Sequence, residues 1–454
     1  MPRRYLILAI CCMSLLIISL DVTIMNIALP AIRDDLHAPV SGLQWTIDAY
    51  TLVVASLVVL AGATADRVGR RRVFQTGLAL FTVASLLCSL APHLEALIAF
   101  RVLQAIGGSM LNPVAMSIIT NTFTEPRERA RAIGVWGAVV GFGMALGPLV
   151  GGFLVHGLGW RSIFWINVPV GVAALILTAL FVPESRAPIP RRLDAAGQVL
   201  VLVLLATVTF AIIEGPGAGW WSPEILGCFT AGLLALLGLL WWEPRRAEPL
   251  IDLGLFRSPP FSGAVLIAIC AFGGLGGFLF LNTLYLQETR GLSALQAGLW
   301  TLPMAGATAL VSPFAGRLVA SRGTRLPLLA AGAAMTLGPI PLTWARPDTP
   351  VWQLLIGYLL FGIGFGMVNA PITTTAVAGM PRERAGVAAA IASTSRQVGS
   401  ALGVAVIGAV LASGHRHAGA AILCGLGAAV LVLGRLSTGD GARTHTRTAE
   451  SVPA

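Results

Sequence analysis

Long apolar runs, each broken by a short polar or charged step, follow one another along nearly the whole chain. A helix that crosses a bilayer needs about 20 mostly apolar residues at about 1.5 Å of rise each. On that measure the pattern predicts fourteen crossings. The first six lie near residues 5–28, 43–65, 73–91, 94–120, 131–155 and 162–182. Two further runs, 195–213 and 225–242, are continuous enough to span. Six more follow near 261–286, 294–319, 326–345, 351–379, 384–412 and 419–434. The opening MPRR before an apolar run imitates a signal peptide, but the run continues through Asp21 to Ala28 without a small-residue cleavage pattern. It is read as the first span.

Composition agrees with a chain dissolved mostly in lipid: 56% of its 454 residues are hydrophobic and 11% charged, with a mean hydropathy of +0.83. The net charge of +10 would suggest nucleic acid for a soluble protein. Here all thirty basic residues are arginine and most fall in short loops between apolar runs, so topology explains the charge and no nucleic-acid partner is expected. Five arginines (Arg33, Arg161, Arg290, Arg346, Arg416) fall outside, Arg101 and Arg396 within the bilayer, and the other 23 inside, which makes both termini cytoplasmic. Tryptophans 45, 160, 220, 221, 241, 242, 344 and 352 sit near predicted helix ends, where an aromatic belt anchors a membrane protein at the interface. Cys11, Cys12, Cys88, Cys228, Cys270 and Cys424 lie inside apolar runs without metal spacing and are read as small buried hydrophobes.

A repeat divides the chain. PRERA occurs at Pro126 to Ala130 and again at Pro381 to Ala385, 255 residues on, each time after a Gly-rich helix with an asparagine (Asn112, Asn369). The reading is an all-α membrane protein with a six-helix bundle over 1–187, two inserted transmembrane helices over 188–250 and a second six-helix bundle over 251–436. A disordered cytoplasmic tail is expected over 437–454. Duplicated halves that rock about a site near the midplane are how many transporters are built.

Few ionisable groups enter the spans, and those that do mark function by default, at about 2.5–3.5 kcal/mol each on insertion scales. Asp21, Asp48 and Arg101 all lie toward the extracellular ends of their helices and form a charge cluster if they face one cavity. One of the acids then exchanges protons with substrate; the competing reading makes either acid a structural partner of Arg101. Gln104, Asn112, Arg396 and Gln397 are the other intramembrane polar groups, with Arg396 near mid-bilayer either a counter-ion or a polar lock. Between the second and third spans, Gly62 to Arg72 forms a charged hairpin. Gly62 and Gly69 admit close approach or a tight turn, and Asp66 caps a neighbouring helix or pairs with an arginine among Arg67, Arg70, Arg71 and Arg72. In the fifth span, Gly143, Gly147 and Gly151 make one smooth face beside Gly152, and Pro148 bends the axis. That face is read as a pivot, against plain close packing. No nucleotide-binding loop, catalytic triad or metal motif is present, so no enzyme, cofactor or metal is expected.

Together these residues resemble the major facilitator superfamily, in particular its fourteen-helix drug/proton antiporters of the QacA and EmrB type. The resemblance rests on LDVTIMNIALP (Leu20 to Pro30), WTIDAY (Trp45 to Tyr50), the Gly62 to Arg72 hairpin and RVLQAIGG (Arg101 to Gly108). GMALGPLVGG (Gly143 to Gly152) and WRSIFWINVPVG (Trp160 to Gly171) complete it, so that it covers the chain to about residue 436. It implies export of amphipathic drugs or antibiotics across the cytoplasmic membrane by alternating access. Protons are exchanged for substrate, the gradient is the energy source, and a monomer is the working unit. It also implies that Asp66 and Arg67 govern conformational exchange, that Arg101 takes part in proton coupling, and that Gly147 and Pro148 mark an antiporter. Asp21 and Asp48 match family acids that handle protons or cationic substrates. Two departures stand out: Thr64 replaces the usual leucine of the hairpin, and the copy at Gly316 to Arg325 carries Ala320 where the acid belongs. A dedicated exporter of one endogenous metabolite fits the same scaffold. A non-transporting receptor or scaffold fits the charged constellation less well.

Overall fold

The computed structural model describes residues 3–187, 194–246, 248–378 and 382–438, and every regular element among them is helical. Fourteen helices are long and apolar enough to cross a membrane. In chain order they are α1 (Arg3–Leu36), α2 (Val40–Val68), α3 (Arg70–Ser89), α4 (Leu94–Thr122), α5 (Pro126–Leu158) and α6 (Ser162–Phe181). Then come α7 (Ala195–Ala218), α8 (Pro223–Trp242), α9 (Pro259–Leu284, prolonged by a wider turn over Tyr285–Thr289) and α10 (Ala294–Arg322). The last four are α11 (Arg325–Thr343), α12 (Val351–Val377), α13 (Arg382–Ala412) and α14 (Arg416–Ser437).

The chain divides into two compact units, Met1–Leu202 with Gly291–Leu299, and Val203–Arg290 with Trp300–Ala454. In the first unit, α1 packs along α5, and α4 lies against both α2 and α3. Small residues let these backbones approach: a Cβ on Gly107 of α4 would sit 2.7 Å from the Gly77 carbonyl oxygen of α3. Phe74, Phe81, Leu78, Leu111 and Val114 fill the space that the crossing leaves. In the second unit, α9 runs along α13 and α14, and α11 along α12 and α14. A Cβ on Gly276 would fall 2.6 Å from the Ser400 carbonyl oxygen, while Phe278 stacks on Phe361 with ring centres 4.3 Å apart.

The charged stretch Gly62 to Arg72 departs from the expected loop. It is helical except for Gly69, because α2 continues to Val68 and α3 starts at Arg70. The first PRERA segment likewise opens α5, with proline at a position where its missing N–H leaves no hydrogen bond unmade. Trp160 is no belt anchor: it is 4% exposed and donates to Asp35 at 3.0 Å, whereas Trp221 is 87% exposed. Ser437 and Thr438, expected in the tail, are buried at the end of α14, where Thr438 donates to the Gly434 carbonyl at 2.6 Å. Pro381 of the second PRERA segment and the tail beyond Thr438 lie outside the described residues.

Candidate functional site

Arg101 and Gln104 lie one turn apart on the same face of α4, so both side chains reach one point inside the first unit. There Arg101 Nη1 donates to Asp21 of α1 at 2.5 Å and to the Gln104 carbonyl oxygen at 2.6 Å. Its Nε donates to the Thr46 carbonyl of α2 at 3.0 Å, and the guanidinium stands 4.4 Å from the Tyr50 ring centre. The other Asp21 oxygen accepts from Gln104 Nε2 at 2.9 Å and from Asn167 Nδ2 of α6 at 3.1 Å. Ser85 of α3 gives its proton to the Phe81 carbonyl, which leaves its oxygen to accept from Gln104 at 2.8 Å. Arg101 is 1% exposed and Asp21 5%. A charge pair so far from water persists only when its remaining donors and acceptors are met, and here the Thr46 carbonyl, Gln104 and Asn167, from three helices, meet them.

Asp48 was expected in this cluster and is not bonded to it. Its carboxyl is fully buried, and neither oxygen has a hydrogen-bond partner among the described residues. The two acids are therefore chemically different: Asp21 has a cation and two amides, and Asp48 has neither among the described residues.

At the Gly69 break the chain turns with φ +130°, a conformation open to glycine. Asp66 accepts from Arg70 at 2.9 Å, four residues on. The segment after α6 straps this turn. Ala187 N donates to the Asp66 carbonyl at 3.1 Å, Arg70 N to the Ser185 carbonyl at 2.9 Å, and Arg71 N to the Glu184 carboxylate at 3.1 Å. A Cβ on Gly69 would fall 2.7 Å from that carboxylate. Arg67 is exposed. Gly62 does not share the Gly69 constraint, since a Cβ there would meet Pro113 at an ordinary 3.6 Å.

On α5, Gly143, Gly147 and Gly151 face α1. A Cβ on Gly143 would lie 2.7 Å from Ser19 Cβ, one on Gly147 would overlap the Thr23 hydroxyl, and one on Gly151 would touch Ile24 at 3.4 Å. Gly152 instead faces the start of α10, where a Cβ would lie 2.7 Å from the Ala294 carbonyl oxygen, and the Pro148 carbonyl abuts Gly298. In the second unit, Arg396 donates to Thr373 Oγ1 at 2.6 Å. Among the described residues no carboxylate pairs with it. Gln397 follows it on α13, half-buried. Asn112 on α4 has a buried carbonyl oxygen without a partner.

Four contributors escaped the sequence reading: Ser85, Asn167, Glu184 and Asp35. Asn167 stood inside the WRSIFWINVPVG stretch, where an asparagine in an apolar run was the available signal. The others carry no local mark.

The family model described as Major Facilitator Superfamily matches residues 11–404. The chain is 37% identical over 394 residues to the multidrug resistance protein Stp of Mycobacterium tuberculosis, covering 87% of this chain and 73% of that one. It is 36% identical, also over 394 residues, to the tetracenomycin C resistance and export protein of Streptomyces glaucescens, covering 86% and 73%. The fold is similar to the crystal structure of the peptide transporter POT, with a TM-score of 0.72 over 97% of this chain and 95% of that one at 15% identity.

Proposed function

The chain belongs to the Major Facilitator Superfamily, a multi-pass cell-membrane protein, and from that premise we propose that it exports amphipathic drugs or antibiotics by alternating access in exchange for protons. Relatives that bear the names of multidrug resistance and antibiotic export proteins support the substrate class and the direction of flux. The observation that carries the proton half of the reading is the contrast between the two buried acids. Asp21 is matched by Arg101 and two amides, so its charge is balanced in this conformation. Asp48 has no partner among the described residues, and an isolated charge in an apolar site is strongly disfavoured. Its carboxyl fits this surrounding with its proton on, and releases that proton when a change of conformation admits water. Asp66, Arg70 and the strap around Glu184 hold the α2–α3 turn in one of the conformations exchanged. The narrower reading, export of one endogenous antibiotic, draws on the relative named for tetracenomycin C alone.

Everted membrane vesicles from an efflux-deficient host test the proposal. Wild type is expected to accumulate a fluorescent drug when a proton gradient is imposed and to lose it on adding a protonophore. Asp48→Asn is expected to abolish gradient-driven accumulation while exchange of labelled for unlabelled drug continues. Protonophore-sensitive accumulation by Asp48→Asn at the wild-type rate would overturn the assignment, and resistance to no compound in a susceptibility panel would favour the narrower reading.

A further inference from the structure

The chain places two arginines inside predicted spans, Arg101 buried and Arg396 half-buried, and they are treated very differently. Arg101 has a carboxylate, a side-chain amide and a backbone carbonyl on its guanidinium. Arg396 offers the same five N–H donors, but among the described residues its hydrogen bond runs to a neutral hydroxyl, Thr373 Oγ1 at 2.6 Å, and its buried Nε has no partner among them. The guanidinium is also held 5.7 Å from the Phe272 ring centre, and Phe272 meets Phe365 edge-on at 5.1 Å. Three helices of the second unit, α9, α12 and α13, thus converge on a cation with an aromatic floor and no counter-ion among the described residues.

Arg396 does not sit at a helix end, where a long side chain reaches the headgroups. It lies nine residues into the apolar part of α13, Val387–Ala412, or about 14 Å at the helical rise. Polar groups around it are open: Thr373 and Thr374 of α12 and Ser393, one turn before Arg396 on α13, are all exposed. An arginine within a span almost always faces the bundle interior or a water-filled cavity, and the exposed Thr373 that it binds marks that side of Arg396 as open. An unpaired intramembrane cation on an open face, beside an aromatic ring, is a receptor for an anion attached to an apolar or aromatic body.

We infer that Arg396, with Thr373 and Phe272, forms a subsite for the anionic group of a transported compound, a carboxylate or an acidic phenol or enol on an amphipathic frame. This rests on the export reading above and adds a substrate class to it. In such a complex the guanidinium gains charge-assisted bonds at its Nη protons, while the ring of the ligand lies along Phe272.

The test uses the purified full-length protein in proteoliposomes, with fluorescein as amphipathic anion and ethidium as lipophilic cation. Equilibrium binding and gradient-driven transport of both probes are measured for wild type, Arg396→Gln and Arg396→Lys. The ratio of fluorescein to ethidium affinity is expected to fall about tenfold to a hundredfold in Arg396→Gln, the range set by hydrogen bonds to a charged group, and to recover in part in Arg396→Lys. Equal loss for both probes, with a lowered melting temperature, would make Arg396 a structural residue and overturn the inference. A wild type that moves ethidium but neither binds nor moves fluorescein overturns the anion subsite and leaves export standing. Arg396-dependent binding of fluorescein without transport of either probe leaves the subsite standing and overturns export. Absence of binding and transport for both probes overturns the two together.

Discussion

Arg101 is the side chain in the first unit that has the most to lose from any change around it. Removing one partner of a buried, hydrogen-bonded ion pair strands the other charge, at about 3–5 kcal/mol. Arg101→Met would leave Asp21 facing two amides and no cation. Asp48→Asn, by contrast, replaces a carboxyl that bonds to nothing with a neutral group of nearly the same shape. The expected outcome is a large fall in melting temperature for Arg101→Met and almost none for Asp48→Asn, read by thermal unfolding of detergent-solubilised protein. A Asp48→Asn variant as unstable as Arg101→Met would mean that Asp48 is a structural partner after all. The sequence made the residues of this site visible to different degrees, for a physical reason. Charges in an apolar run stand out because bilayers disfavour them, so Asp21, Asp48 and Arg101 were legible one by one. Which acid meets the arginine depends on helix rotation about the bundle axis, and apolar runs nearly uniform around their circumference carry little record of rotation. Ser85 was hidden for another reason: serines are common in spans, and only the fold turns this one toward Gln104.

At the scale of helices, the fifth span shows how a small-residue pattern becomes geometry. Gly143, Gly147 and Gly151 recur every four residues and bring α5 onto Ser19, Thr23 and Ile24 of α1. Gly147 is the tightest of them, since a Cβ there would overlap the Thr23 side chain. Overpacking of this kind is destabilising by about 1–3 kcal/mol. Gly147→Ala is therefore expected to lower both melting temperature and transport, and Thr23→Ala in the same chain to restore part of each by removing the hydroxyl. A double variant no better than the single one would show that the loss comes from bending near Pro148 rather than from the α1 contact. The number and order of the helices were legible because bilayer thickness sets a minimum run length. Their ends were not: polarity was read as loop at Gly62 to Arg72, yet arginine is a good helix former and the helix carries on until Gly69, the residue with positive φ. The strap from Glu184 to Ala187 had no signal at all, because it binds through backbone groups 113 or more residues away in the chain.

For the molecule as a whole, the asymmetry of arginines between alternate loops gives an expected side of the membrane for each helix end. The assignment puts the α2–α3 turn with Arg70, Arg71 and Arg72 in the cytoplasm, and the α7–α8 connection with Trp220 and Trp221 outside. The outer arginines do not weaken it. Arg161 is held by Asp35 at 2.6 Å and stacks on Trp160 at 4.3 Å, and Arg290 donates to the Thr349 carbonyl at 2.8 Å, so both have structural duties at the helix ends they occupy. On that expectation an even number of crossings would return both termini to the cytoplasm. Cysteine labelling reads this directly, because the six native cysteines are buried or half-buried and contribute little background. Trp221→Cys, at a position 87% exposed, is expected to react with a membrane-impermeant maleimide in intact cells. Arg72→Cys, also exposed, is expected to react only after permeabilisation, and a reporter fused to the C-terminus to be active only in the cytoplasm. Labelling of Arg72→Cys in intact cells would invert the molecule, place the Asp21–Arg101 cluster in the half of the bilayer that faces the cytoplasm, and reverse the direction in which Asp48 is charged with its proton. Labelling of both cysteines from outside would instead break the even count and remove one of the crossings between them.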